Sequence, residues 1–228
     1  MPKGKSGIKR GGGSARARVQ TQAQKQAQAQ AQAIEKLNQR AVSLGLVGNA
    51  DFTGLDVSVA NEMIAEIQAT KDMFPTLAPL AFIGSIQSGE NWAVSEVQRK
   101  NFSYITSYWR NLYPGLSDEE IISRIPVGKS TVSPETWAWF SNGEYGSVNY
   151  GTLYIGLNSG HFSSSILTET LGNVLTSRAT LPGNVMSRYH PEGCHTIKSI
   201  VSHEVGHYLD YRMGLMKDAK IQKLFRDH

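Results

Sequence analysis

The stretch Thr196–Met213, TIKSIVSHEVGHYLDYRM, sets more conditions on the fold than any other part of this 228-residue chain. Its apolar residues Ile197, Val201, Val205 and Leu209 recur every four positions, and Gly214 follows at the C-cap position. That spacing predicts one helix over 196–213 with an apolar stripe. Such a stripe is stable only against a second apolar layer. The other side of the helix carries His203, Glu204 and His207. The fold must therefore bury one face of this helix and leave its histidine face accessible.

The second layer is legible upstream. Residues 136–141 (TWAWFS) and the stretch 151–159 (GTLYIGLNS) are rich in β-branched and aromatic residues and read as strands. Asn142-Gly143 between them is a hairpin turn signal. The pairs Trp137/Trp139 and Tyr150/Tyr154 alternate, which places each pair on one strand face and fits core packing. Ahead of them, Asp56 or Ser58 starts a helix that runs to about Met73 and stops at Pro75. Residues 78–92 suggest a short strand and a loop, and residues 94–112 a helix ending at Pro114-Gly115. Ser117 and Glu120 form a capping box for a short helix closed by Pro126. A further helix is expected near 165–177. Helices followed by a hairpin and a final helix give an α+β class.

Residues 1–18 cannot contribute much to such a core. Residues 1–40 hold nine basic groups against one acid, a net of +8. The whole chain is only +4, so residues 41–228 carry −4. Residues 1–18 mix Gly, Ser and cations, a composition that favours disorder. In 19–33, Gln occupies every even position from Gln20 to Gln32 and alternates mostly with Ala, which suits a polar helix or a low-complexity segment. The chain thus divides into a basic arm, 1–44, and a folded domain, 45–228. The arm fits contact with nucleic acid or another polyanion through residues 1–40, and equally a solvated tether. It has no aromatic residues for base stacking. No apolar run is long enough for a transmembrane helix, and none follows the basic N-terminus as in a secretory signal. A cytoplasmic or virion-packaged protein is expected rather than one secreted by the general route. The lone Cys194 excludes an internal disulfide.

The spacing of the histidines has a chemical meaning. Residues four apart share a helix face, so His203 and His207 can reach one metal ion. Zn²⁺ suits imidazole ligands. Glu204, a quarter-turn away, is placed beside such an ion and can take a proton from its bound water. The plainer alternative is a pair of structural histidines.

The segment Ile200–Tyr211, IVSHEVGHYLDY, resembles the active-site helix of zincin metallopeptidases. It is most similar to the lethal-factor-like branch, in which H-E-x-G-H is followed after two residues by Asp; Gly206 and Asp210 match. Similar segments occur in phage head-associated proteins. The resemblance covers about twelve residues and implies a zincin-like domain with a small mixed sheet and an active-site helix. It implies His203 and His207 as zinc ligands, Glu204 as general base and Asp210 as the residue orienting a ligand histidine. It also implies that an extended peptide pairs with a strand ahead of the helix, here 151–159.

The third ligand departs from the pattern. The long motif of the metzincin branch is excluded, because Asp210 and Met213 stand where it has Gly and His. After Glu204 the chain has no further Glu. Three sources remain: Asp218, eleven residues after His207; Asp210 itself; or a Glu beyond His228 in a longer polypeptide. Tyr211, near the metal face, is a candidate oxyanion donor; Tyr189 is another, whereas Tyr208 points away and fits a core. His190 and His195 fit surface positions, the cleft wall or a second metal. The expected function is zinc-dependent endopeptidase activity (a hydrolase, a metalloprotease). The alternative is a virion structural protein with a latent or degenerate zincin domain, anchored by the arm.

Overall fold

A computed structural model of the chain describes residues 13–127, 132–133, 136–145, 148–163 and 196–226, with the side chains of 13–20, 143–152 and 224–226 left aside. The expected helix near 165–177, and the candidates Tyr189, His190, Cys194 and His195, lie outside the described residues. The described elements run α1 (Gly13–Ser43), β1 (Val47–Asp51), α2 (Val57–Met73), β2 (Leu80–Ser85), α3 (Ile86–Tyr104), α4 (Thr106–Leu112) and α5 (Asp118–Arg124). They continue with β3 (Ala138–Tyr145), β4 (Val148–Leu157), α6 (Ser159–Phe162), α7 (Ile197–Met213), a 3-10 turn at Leu215–Lys217, and α8 (Ala219–Arg226). The class is α+β.

The four strands form one mixed sheet in the order β1-β2-β4-β3. β1, β2 and β4 run parallel, and β3 is the antiparallel edge beside β4. This corrects where an added peptide strand has room. β4, which contains most of 151–159, is flanked by β2 and β3, so both its edges are taken. Among the described strands the outer ones are β1 and β3. The turn expectation is corrected too. Asn142-Gly143 lies inside β3, at a register irregularity between Asn142 and Glu144, and pairing runs on to Tyr145 opposite Val148. Across that irregularity a single residue of β3 stands opposite three of β4, so the extra residues lie in β4 and β3 runs on through the turn signal.

The main core lies between one sheet face and three helices. Ile83 of β2 and Leu153, Ile155 and Leu157 of β4 meet Val59, Met63 and Ile64 of α2 and Ile197, Val201 and Val205 of α7. Each such side chain contributes roughly 1.5–3 kcal/mol by leaving water. Ile34, Leu37 and Ala41 of α1 join this core, so the last turns of the basic arm are packed against the domain. On the opposite face, α3 covers Phe82 and Tyr154. Its approach requires glycine: a Cβ on Gly89 would sit 2.6 Å from the Tyr154 ring, and one on Gly156 2.8 Å from the Ile86 backbone.

Local chemistry sets the helix ends. Asp56 caps α2 by accepting from the Ser58 N–H at 2.8 Å. Ser117 and Glu120 form the expected capping box on α5. The loop expected in the later part of 78–92 is instead the start of α3, because the Ser85 hydroxyl oxygen accepts from the Ser88 N–H and caps it. Trp137 is half-buried and stacks on His161 at 4.3 Å, whereas Trp139 is 37% exposed on the edge strand rather than in the core. No described helix is long and apolar enough to cross a membrane.

Candidate metal centre

Helix α7 is fixed at both ends. Thr196 and Ser199 form a reciprocal capping box at its start. Gly214 ends it in the left-handed conformation (φ 65°), its N–H bonded to the Asp210 carbonyl. Ile197, Ile200, Val201, Val205 and Tyr208 are buried against the sheet and α2. The Tyr208 hydroxyl donates to the Ala78 carbonyl, and burial raises the phenol's pKa; Tyr208 serves packing, as its helical position predicted. Ser202 donates to Glu66 of α2 at 2.7 Å, and Lys198 lies 3.9 Å from the same carboxylate. These contacts fix the rotation of α7 about its axis.

That rotation brings the two histidines together. The His203 and His207 Nε2 atoms lie 3.0 Å apart, with the rings at 88° to each other. Two nitrogens that share a tetrahedral Zn²⁺ at ordinary bond lengths sit roughly 3.3 Å apart. The donor pair therefore fits one ion with a shift of a few tenths of an ångström. The same contact also suits one Nε2–H donating to the other ring, which is the structural alternative.

Glu204 sits behind them, only 7% exposed. Its carboxylate accepts from the backbone N–H of Phe140 in β3. Burial pushes its pKa up to about 7, although the Phe140 hydrogen bond pulls the other way. Desolvation dominates because a charged carboxylate loses more hydration than one amide hydrogen bond returns. The helix thus presents two accessible or half-accessible imidazoles and a carboxyl group poised near neutrality. Gly206 is exposed between the histidines, and a Cβ there would meet nothing within 4 Å. A mid-helix glycine costs about 0.5–1 kcal/mol against alanine, and no packing contact among the described residues requires it here.

The other expected residues are placed elsewhere. Asp210 accepts from the Met216 N–H at 2.6 Å and so ties down the turn after α7. Asp218 caps α8, accepting from the N–H groups of Lys220 and Ile221. Tyr211 is 45% exposed, with its ring 6.2 Å from that of Phe140. Among the described residues no group of three His, Cys, Asp or Glu side chains is placed to hold a metal ion. Neither Asp218 nor Asp210 therefore completes a set with His203 and His207. Two participants escaped the sequence: Phe140, which acts through its backbone, and Glu66, which acts across 136 residues. The alternation in 136–141 was the available signal for Phe140. Compared with protein-family models, curated proteins and solved structures, the chain matches none.

Proposed function

We propose that this protein is a zinc-dependent endopeptidase with a zincin-like domain, in which His203 and His207 hold the metal and Glu204 is the general base. The observation that carries this is the junction of α7 with β3. Convergent imidazole nitrogens on the helix lie beside a buried carboxyl group that is bonded to the N–H of an edge strand. Zinc, when bound, supplies a Lewis acid that polarises a carbonyl and acidifies water. The chain supplies the rest. Glu204 is a buried carboxyl group on the same helix as the two histidines, so it can accept a proton and pass it to a leaving amine. The Phe140 N–H holds one of its oxygens in place. The outer side of β3 offers backbone groups to an extended peptide by β-augmentation. The exposed Tyr211 hydroxyl is on hand as a donor to a developing oxyanion.

Metal analysis of the purified full chain tests this. One zinc per chain is expected, lost in His203→Ala and retained in Glu204→Gln, with peptide cleavage lost in both variants. A wild-type chain that binds no zinc at neutral pH refutes the proposal and favours a structural protein carrying a latent zincin domain.

A further inference from the structure

Helix α1 does more than enter the core. Its inward side is set by Ile34, Leu37 and Ala41, all buried, and by Asn38, whose side-chain oxygen accepts from the Phe52 N–H at 2.9 Å. At 100° per residue, Lys25, Lys36 and Arg40 fall within about 60° of one another, with their mean direction roughly 130° round from that of the three core residues. Arg18 occupies the same register. Lys25, Lys36 and Arg40 are exposed, and none of them forms an ion pair with a described carboxylate. Glu35, the arm's lone acid, lies off the stripe and accepts from Gln39. The packed C-terminal turns therefore aim Lys36 and Arg40 at solvent, and Lys25 continues the row along the same side of the helix.

We infer that this stripe is a binding surface for duplex nucleic acid, read through its phosphates without base specificity. The row from Lys25 to Arg40 is about 22 Å long. A linear array of one sign of charge complements a duplex, which carries one phosphate per 3.4 Å along each strand. The positions beside the stripe are Gln22, Ala29, Gln32, Gln39 and Ser43, all exposed. None is aromatic, so there is no platform for stacking single-stranded bases. None is a large apolar residue, so the face cannot insert into lipid as an amphipathic membrane helix does. Gln supplies neutral donors to phosphate and sugar oxygens. This inference does not rest on the zinc proposal.

The test is fluorescence anisotropy of the full chain with a 20-base-pair DNA of arbitrary sequence, at 50–200 mM NaCl. Removing three phosphate contacts lowers the slope of log K against log[salt] by about 2.7. Wild-type affinity should therefore fall about 40-fold more over this range than that of Lys25→Gln/Lys36→Gln/Arg40→Gln. Glutamine keeps the helix propensity, and circular dichroism checks the fold. Lys100→Gln/Lys217→Gln/Lys220→Gln makes the same change in net charge away from the stripe and should leave the slope at the wild-type value. Equal slopes for the wild type and the stripe variant overturn the inference, as does an equal loss in the control. Binding to phosphatidylserine vesicles or to an acidic peptide, with none to the duplex, overturns it too.

Discussion

Replacing Glu204 by Gln removes a titration while keeping an acceptor for the Phe140 N–H, and the consequence for stability is calculable. In the metal-free protein the carboxyl has a pKa of about 7 against 4.5 for the free group. The folded state thus holds its proton over a range where the unfolded state has released it. By linkage, stability falls as pH rises through that window, at about 1.4 kcal/mol per pH unit. Across the window the loss comes to about 3 kcal/mol. It is absent below pH 4.5 and complete above pH 7. The neutral amide escapes it, so Glu204→Gln should match the wild type near pH 4.5 and exceed it by about 3 kcal/mol at pH 8. Urea denaturation followed by tryptophan fluorescence, with a chelator present and at one-unit pH steps, measures the difference. Other titrating groups are common to both proteins and cancel. A difference that stays constant from pH 5 to 8 would mean that Glu204 is not desolvated, and would remove the account of its proton affinity.

Four further outcomes are expected. Zinc at a hundred times its dissociation constant should stabilise the wild type by about 2.7 kcal/mol in thermal melts, and His207→Ala should show no such shift. Gly206→Ala should raise stability by about 0.5–1 kcal/mol, and if open space there serves substrate, turnover should drop in the same variant. Gly89→Ala drives a methyl group into the Tyr154 ring and should cost about 1–3 kcal/mol in chemical denaturation. Thr196→Ala breaks the capping box of α7 and should cost about 1 kcal/mol, seen as a fall of about 2–4 °C in Tm.

The elements that the sequence made legible are those governed by near neighbours. Asp56, Ser117 with Glu120, and Gly214 each act within one helical turn, and all three sit at the helix ends their chemistry predicts. The stripe Ile197, Val201, Val205 faces the sheet for the same reason. What was missed depends on distant partners. Val47–Asp51 contains a glycine and carries no strand pattern of its own, yet β2 draws it into a parallel pair. The polar end of 78–92 reads as a loop until Ser85 is known to cap a helix there. The Asn142-Gly143 signal is overridden because β3 and β4 keep pairing beyond it. In the site, the histidine convergence followed from i, i+4 spacing, whereas the Phe140 and Glu66 contacts needed the tertiary structure.

The two closed ends of α7 also bear on its dynamics. Helices lose their backbone hydrogen bonds by fraying inward from the termini. Here an opening from the N-terminal side must break the Thr196–Ser199 box, and one from the C-terminal side must undo the Gly214 cap and the Asp210–Met216 bond. The amides of His203 to His207 lie near the middle of the helix, between the two barriers. They should exchange with solvent only through the global unfolding of the domain. The backbone positions that carry the two imidazoles are then held for as long as the protein stays folded, and they do not shift with fraying at the helix ends.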